Sequence, residues 1–128
     1  MEERGCHILI ADDEPQVLNL FTRLLTRGGY SVTAVDSGTS ALKVLGDQPV
    51  DLLVLDLSMP PPDGFELLKR LRTSMPGLRI LVTSGFMQGT LLKAAELLGA
   101  TATLAKTDAP IHLLETVDHL LRKRPKGT

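Results

Sequence analysis

The 128-residue sequence contains no tryptophan, a single cysteine (Cys6) and few aromatic residues of any kind. One cysteine cannot form an internal disulfide, and this usage suits a reducing compartment. With only 3% aromatic residues, the core must be built from Leu, Val, Ile and Ala. No apolar run approaches the ~20 residues of a membrane-spanning helix, and the N-terminus lacks the pattern of a signal peptide. We therefore expect a cytoplasmic protein that does not enter a membrane.

Charge of one sign is also lacking, because 14 basic and 15 acidic residues leave a net charge of −1. A nearly neutral domain has no strong field for nucleic acid, so we expect no direct nucleic-acid binding. Basic residues are concentrated only near the end of the chain. The length and the 43% apolar content are enough for one globular domain. We predict one domain over residues 1–122, followed by a basic tail or the start of a linker over 123–128.

Short apolar segments alternate with helix-periodic segments five times along the chain. Alternation of this kind predicts an α/β fold in which a five-stranded parallel sheet has helices on both faces. The second strand alternates in polarity, which suits a sheet edge, whereas the first, third and fourth are nearly continuous apolar runs typical of central strands. The predicted strands are Cys6–Ala11, Tyr30–Val35, Leu52–Leu55, Arg79–Thr83 and Ala102–Ala105.

Glycines and capping residues between these segments predict where the helices begin and end. Gly28 and Gly99 follow the first and fourth helical patterns and should end those helices. Asp63, with Glu66 three residues later, should cap the third helix. Asp108 should cap the fifth, with a proline in its first turn.

Function in parallel α/β sheets is found at the carboxyl ends of the strands. In chain order, those ends supply the pair Asp12 and Asp13, then Asp56, Ser84 and Lys106. Three carboxylates in one cleft raise the free energy of ionising one another unless a cation is present. Carboxylates, a backbone carbonyl and water are the ligands that Mg²⁺ prefers. We predict an Mg²⁺ site, with Asp56 as a carboxylate nucleophile towards phosphorus and with Lys106 and Ser84 facing the phosphoryl oxygens.

Each of these residues also has a simpler interpretation when it is taken alone. Asp12 or Asp13 could cap the first helix, Asp56 could be a turn residue, and Lys106 could be a solvated lysine. The functional interpretation depends on complementary groups that converge from four strand ends. A weaker pattern lies near the C-terminus, where a surface metal site or, more simply, an exposed polar helix face is indicated by His112, Glu115 and His119.

The segment from Asp56 to Gly64, DLSMPPPDG, resembles the signature D-x-x-M-P-x-x-D-G of response-regulator receiver domains. The acidic pair after the first strand, Ser84 after the fourth and Lys106 after the fifth also match that family, so the resemblance runs from about residue 6 to 121. It implies a flavodoxin-like, doubly wound (βα)5 sandwich with strand order 2-1-3-4-5. It further implies a signalling domain that catalyses only its own phosphorylation and dephosphorylation.

The resemblance also implies roles for individual residues. Asp56 is then the phosphoacceptor, and Mg²⁺ is bound directly by Asp13, Asp56 and the backbone carbonyl of Ser58, with Asp12 acting through water. Ser84 bonds the phosphoryl group and Lys106 pairs with it. Side chains that tune or transmit the switch are expected at Ser58, Ser84, Phe86 and Thr103.

The partners implied by the resemblance are a sensor histidine kinase or phosphotransfer protein as donor, and an output domain or protein. Output partners bind the surface of helix four, strand five and helix five; a dimer formed on phosphorylation is a further option. Two departures bear on this output. Thr103 stands where the family usually has Tyr or Phe, and Thr107 stands where it usually has Pro. We expect a trans Lys106–Thr107 peptide and a signal that travels mainly through residues 84–89.

Other classes of protein remain open as alternatives. A phospho-aspartyl phosphatase of the haloacid dehalogenase kind needs a second Asp two residues after the nucleophile, where this chain has Ser58. A dinucleotide-binding domain needs a glycine-rich turn after the first strand, where this chain is acidic. A receiver-shaped interaction module that works without phosphorylation is a third alternative, which Thr103 leaves open.

Overall fold

The predicted strands form one parallel sheet in the computed structural model, which describes residues 6–85 and 89–122. Strand order is β2-β1-β3-β4-β5, as the sequence predicted, with β2 at one edge. A short 3₁₀ turn, Lys106–Asp108, joins β5 to the last helix. The strands are β1 His7–Ala11, β2 Ser31–Val35, β3 Leu52–Asp56, β4 Arg79–Ser84 and β5 Ala102–Ala105. The helices are α1 Pro15–Arg27, α2 Gly38–Asp47, α3 Gly64–Ser74, α4 Gly89–Leu97 and α5 Ala109–Arg122.

Two apolar clusters cover the two faces of the sheet and make a three-layer structure. Helices α1 and α5 pack on one face, where Phe21 and Leu113 meet Ile8, Ile10 and other apolar side chains of the sheet. Helices α2, α3 and α4 pack on the other. Every residue of β3 is buried, because both faces of this central strand are covered. The sheet therefore presents its functional groups only at its edges and ends.

The register of the sheet brings the strand ends together. Asp56 at the end of β3 pairs with Thr83, and Ser84 pairs with Ala105 of β5. On the other side of β3, Leu55 pairs with Ala11, the residue before the acidic pair. All these residues lie at the carboxyl edge of the sheet, because the strands are parallel and their carboxyl ends point the same way.

Helix ends follow the predicted signals in most places. Asp63 accepts a hydrogen bond from Glu66 N at 2.9 Å and caps α3, and Gly99, at φ +110°, follows α4. The prediction that Asp108 caps α5 is wrong, because this residue lies in the 3₁₀ turn that leads directly into the helix. The predicted strand bounds differ from the observed ones by at most one residue at either end.

The Lys106–Thr107 peptide is trans, as predicted; within residues 6–85 and 89–122 the cis peptide is Pro61–Pro62. None of the helices in this part of the chain combines the length and the apolarity needed to cross a bilayer. The predicted basic tail over residues 123–128 lies outside the described residues.

Candidate functional site

A polar cleft of about 330 Å³ opens at the carboxyl edge of the sheet. A larger groove of about 750 Å³ runs along α1, but its lining residues include no carboxylate and no lysine. We therefore assign the functional site to the smaller cleft, where carboxylates and a lysine ammonium lie together. Its lining residues are Asp13, Glu14, Asp56, Ser58, Gly85 and Lys106.

Asp12, Asp13 and Asp56 each place a carboxylate oxygen within 4.8 Å of the others. Asp12 and Asp56 are only 1% exposed, whereas Asp13 faces solvent. The cluster forms because β1 and β3 are neighbours in the sheet, so residues 44 positions apart meet at its edge. The simpler interpretation of the acidic pair does not hold, since the N-cap of α1 is Glu14 and makes no side-chain capping bond.

Lys106 lies at the centre of this carboxylate cluster. Its Nζ is 2.8 Å from Asp12 Oδ2, 2.9 Å from Glu14 Oε1 and 3.3 Å from Asp56 Oδ1. Because it is only 12% exposed, the ammonium is part of the cleft wall, and the interpretation of Lys106 as a solvated lysine is wrong.

Burial dominates the ionisation of the cleft. It raises the pKa of Asp12 to about 6, against the opposing effects of Lys106 and the Glu14 backbone N–H. Burial also raises the pKa of Asp56, although the Ser58 N–H and Lys106 act in the other direction. For Lys106 burial lowers the pKa, but the carboxylates of Asp12 and Glu14 outweigh it and raise the net value. The ammonium therefore stays protonated, and the carboxylates are held at a higher free energy than in water.

The loop after Asp56 is shaped by a glycine. A Cβ on Gly64 would lie 2.4 Å from the Asp56 carbonyl oxygen and 2.6 Å from Leu57 Cα, closer than real Cβ atoms approach. Gly64 therefore lets the start of α3 pack directly against the end of β3. Within the same turn, Ser58 N donates to Asp56 Oδ1 at 3.1 Å. The close packing at Gly64 and the hydrogen bond from Ser58 N hold the backbone and the carboxylate of Asp56 in place.

The donor set of the cleft fits a hard divalent cation. Two carboxylate oxygens, Asp12 Oδ2 and Asp56 Oδ2, are buried and have no hydrogen-bond partner among the described residues, although Asp12 Oδ2 is paired with the Lys106 ammonium at 2.8 Å. A buried carboxylate oxygen without a partner is unfavourable, and either a cation or a donor group would relieve it. Oxygen ligands from three aspartates are what Mg²⁺ prefers. Asp12, Asp13 and Asp56 are thus suitably grouped to hold such an ion.

The remaining predicted residues lie around this cleft. Ser84 ends β4 and is 2% exposed, and it precedes Gly85 in the cleft wall. Thr103 lies on β5, half-buried, with its hydroxyl 3.5 Å from Glu96 Oε2 on α4. Phe86 lies outside the described residues.

The C-terminal pattern does not make a metal site with three ligands. His112 Nδ1 pairs with Glu115 Oε1 at 3.0 Å on the exposed face of α5. Within the described part of the chain, the one group of at least three candidate ligands is the aspartate cluster of the cleft. The exposed polar helix face is therefore the better interpretation of this pattern.

Two residues are missing from the sequence prediction: Glu14, which lines the cleft, and Thr83, which pairs with Asp56 in the sheet. Glu14 reaches Lys106 across the cleft, and only its position beside the acidic pair could have signalled this. Thr83 is fully buried, and its hydroxyl has no hydrogen-bond partner in the described part of the chain. Its signal was a hydroxyl within an otherwise apolar strand, next to the Ser84 that drew attention first.

Comparison with known proteins gives a consistent result. The sequence model of the family described as "Response regulator receiver domain" matches residues 8–118. The chain is 33% identical over 113 residues to the response regulator receiver protein CpdR of Brucella abortus, covering 88% of this chain and 92% of CpdR. It is 30% identical over 128 residues to the transcriptional regulatory protein GlrR of Escherichia coli, covering all of this chain but only 29% of GlrR.

A solved structure has the same fold. The response regulator protein TrrA from Thermotoga maritima, determined in complex with Mg(2+)-BeF, superposes with a TM-score of 0.82 at 27% identity. The superposition covers 91% of this chain and 99% of TrrA. The fold, the carboxylate cluster and the sequence match agree, and the chain belongs to the response regulator receiver domain family.

Proposed function

We propose that this domain accepts a phosphoryl group on Asp56 in an Mg²⁺-dependent reaction and thereby changes its protein-binding surface. One observation carries the proposal. The Asp56 carboxylate is buried, has one unpartnered oxygen, and lies 3.3 Å from the Lys106 ammonium beside two further aspartates. A structural carboxylate would have its hydrogen bonds satisfied, whereas this one retains a free oxygen at the cleft.

The metal site that we propose uses Asp13, Asp56 and the Ser58 backbone carbonyl directly, with Asp12 acting through water. When bound, Mg²⁺ would supply the positive charge that the clustered carboxylates and the phosphoryl oxygens need. Asp13 faces solvent, so it offers the route by which a hydrated ion can exchange. Asp12 is held by its Oδ1, which accepts from Glu14 N at 2.9 Å.

The chemical step forms one bond and breaks one. A carboxylate oxygen of Asp56 attacks phosphorus and makes the O–P bond of an acyl phosphate, while the P–N bond of a phosphohistidine breaks. The electron pair of that bond stays on the imidazole nitrogen. With acetyl phosphate as donor, the broken bond is P–O and acetate leaves. Lys106 and the Ser84 hydroxyl face the charge on the phosphoryl oxygens.

The donor that we propose is a sensor histidine kinase or a phosphotransfer protein. The output partner is a further domain or protein that binds the surface of α4, β5 and α5, with dimerisation on phosphorylation as an alternative. GlrR, of which this chain spans only 29%, is named a transcriptional regulator. We assign residues 1–122 to the receiver and 123–128 to a tail or linker, and we expect the protein in the cytoplasm.

We expect the switch to involve Ser84, Thr103, Ser58 and Phe86. Thr103 is small and contacts Glu96 of α4 at 3.5 Å, so it cannot fill the volume of an aromatic ring on β5. We therefore propose that residues 84–89, which run from the last residue of β4 to the first residue of α4, carry most of the signal to α4.

The proposal is tested by incubation with acetyl phosphate and Mg²⁺, followed by intact-mass measurement. We expect one added phosphoryl group in the wild type and none in Asp56→Asn. Asp47→Asn, a change of the same kind at an exposed position of α2, is the matched control and should be phosphorylated normally. An unchanged yield in Asp56→Asn would show that the phosphoacceptor lies elsewhere.

The same experiment distinguishes the two alternative functions. A phospho-aspartyl phosphatase would release phosphate with turnover, for which it needs an acid/base carboxylate at the position of Ser58. An interaction module would gain no phosphoryl group at all. We propose a signalling receiver because the cleft has a nucleophile and a cation-binding cluster but only a hydroxyl at position 58.

A further inference from the structure

The Lys106 ammonium has as many carboxylate partners as it has protons. An ammonium group has three N–H donors and no acceptor. Its nitrogen lies 2.8, 2.9 and 3.3 Å from carboxylate oxygens of Asp12, Glu14 and Asp56, respectively. Three carboxylates therefore surround the ammonium before any phosphoryl group arrives, and the contact with Glu14 also has hydrogen-bond geometry. Lys106 can approach a phosphoryl group only by giving up a partner.

The three partners differ in what their release would leave behind. The carboxylates of Asp12 and Asp56 are 1% exposed, whereas that of Glu14 is 52% exposed. Removing a partner from a buried ion pair leaves an uncompensated charge in a dry site, which is strongly unfavourable. A half-exposed carboxylate is rehydrated instead. Glu14 is therefore the partner that Lys106 can release most easily.

Local structure also explains why Glu14 reaches the lysine. Glu14 is the N-cap residue of α1, with extended backbone angles, yet its side chain makes no capping bond to that helix. The carboxylate instead crosses the cleft to a residue 92 positions later in the chain. The N-cap position usually favours a short side chain that bonds the helix, so a long glutamate at this position can reach across the cleft.

We propose that Glu14 is a positioning residue that holds Lys106 at the mouth of the cleft and competes with the incoming phosphoryl group for its ammonium. The inference rests on the proposed phosphorylation of Asp56. The Glu14–Lys106 pair must open before the ammonium can meet a phosphoryl oxygen, so the pair slows phosphorylation. Its strength sets how readily the resting domain accepts a phosphoryl group.

The test compares three variants by the rate of phosphorylation with acetyl phosphate at saturating Mg²⁺. Glu14→Gln removes both the charge and the ion pair. Glu14→Asp keeps the charge, but the shorter side chain caps α1 and does not reach Lys106. Glu115→Gln removes an equal charge from the exposed face of α5. We expect the first two to raise the rate about two- to fivefold, the range of an exposed ion pair, and the third to leave it unchanged.

Two outcomes would overturn the proposal. An unchanged or lower rate in Glu14→Gln would show that the pair does not hold Lys106 back. A wild-type rate in Glu14→Asp, with a raised rate in Glu14→Gln, would assign the effect to charge repulsion and not to the ion pair.

A second measurement separates this inference from the proposed function. Without any phosphodonor, the ¹⁵N resonance of the Lys106 ammonium should shift in Glu14→Gln and stay in place in Glu115→Gln. If the wild type takes up no phosphoryl group but this shift is seen, the proposed function is wrong while the ion pair stands. An unmoved resonance in Glu14→Gln contradicts the ion pair itself.

Discussion

The two ends of the sheet differ in whether their polar groups have hydrogen-bond partners. Near the amino end, His7 N donates to Asp51 Oδ2 at 2.7 Å, and the His7 ring donates from Nδ1 to the Pro49 carbonyl at 2.9 Å. At this end the Tyr30 hydroxyl also donates to Asp118 of α5. At the carboxyl end, Asp56 Oδ2 and Thr83 Oγ1 are buried without a hydrogen-bond partner in the described part of the chain.

This difference separates the part of the molecule that stabilises the fold from the part that we propose to react. Satisfied buried polar groups stabilise a fold modestly, whereas unsatisfied ones destabilise it and are rare in native proteins. Their grouping at one end identifies a site whose free energy is lowered when a ligand binds. Stability should therefore decrease with mutations at the amino end and increase with mutations or ligands that relieve the carboxyl end.

The largest expected effect is at the amino end, where Arg72 of α3 joins several loops. Its Nε donates to the Gly99 carbonyl at 2.6 Å and an NH2 group donates to the Leu78 carbonyl at 2.7 Å. Hydrogen bonds from a charged group contribute about 1.5–3 kcal/mol each, so Arg72→Ala should lower the free energy of unfolding by about 3 kcal/mol. Urea denaturation measures this. The control is Arg70→Ala at an exposed neighbour, and equal losses in both would contradict the assigned role.

The next effect concerns pH at the carboxyl end. Burial raises the pKa of Asp12 to about 6, above its value of about 4 in the unfolded chain. The folded state then binds the proton more tightly, so the free energy of unfolding falls as pH rises from about 4 to about 6. The expected loss is about 2 kcal/mol in metal-free buffer.

Urea titrations of the wild type and Asp12→Asn across this pH range measure that loss. The variant should keep only the part of the slope that comes from Asp56, whose pKa burial also raises. If the free energy of unfolding depended on pH equally in the two proteins, Asp12 would not be the cause of the loss.

Bound Mg²⁺ should reduce the repulsion between the carboxylates at the carboxyl end of the sheet. An ion that binds only the folded state stabilises it by about 1.4 kcal/mol at ten times its dissociation constant. We expect Mg²⁺ to raise the melting temperature and Asp13→Ala to remove most of that rise. Because the chain has no tryptophan, a melting scan or calorimetry is the suitable measurement. Asp47→Asn is the control, and a rise that survives in Asp13→Ala would place the ion elsewhere.

The smallest effect is a pair of opposite changes made by the same substitution. Thr83→Val removes a buried hydroxyl that has no partner, so the free energy of unfolding should rise by about 1 kcal/mol. Thr33→Val removes a hydroxyl that bonds His7 Nε2 at 2.7 Å, so the free energy of unfolding should fall by a similar amount. Thermal or urea denaturation compares the two directly. Changes of the same sign would contradict the contrast between the two ends.

The sequence predicted the strands, their parallel arrangement and the segment around Asp56. These features are encoded locally, because apolar periodicity and glycine positions act over a few residues. The cap at Asp63 was predictable for the same reason, since donor and acceptor are three residues apart. Asp108 was mispredicted because the Lys106–Asp108 stretch forms a 3₁₀ turn, which the capping pattern does not distinguish from a helix start.

The sequence by itself determined that this chain is a five-stranded α/β domain with carboxylates, a hydroxyl and a lysine at its strand ends. Only the tertiary structure decided which of them meet. It joined Lys106 to Glu14 across 92 positions, left Asp56 and Thr83 with unpartnered oxygens, and gathered distant loops around Arg72. Such contacts depend on strand order and register, because packing brings together side chains whose distance along the chain has no local signal.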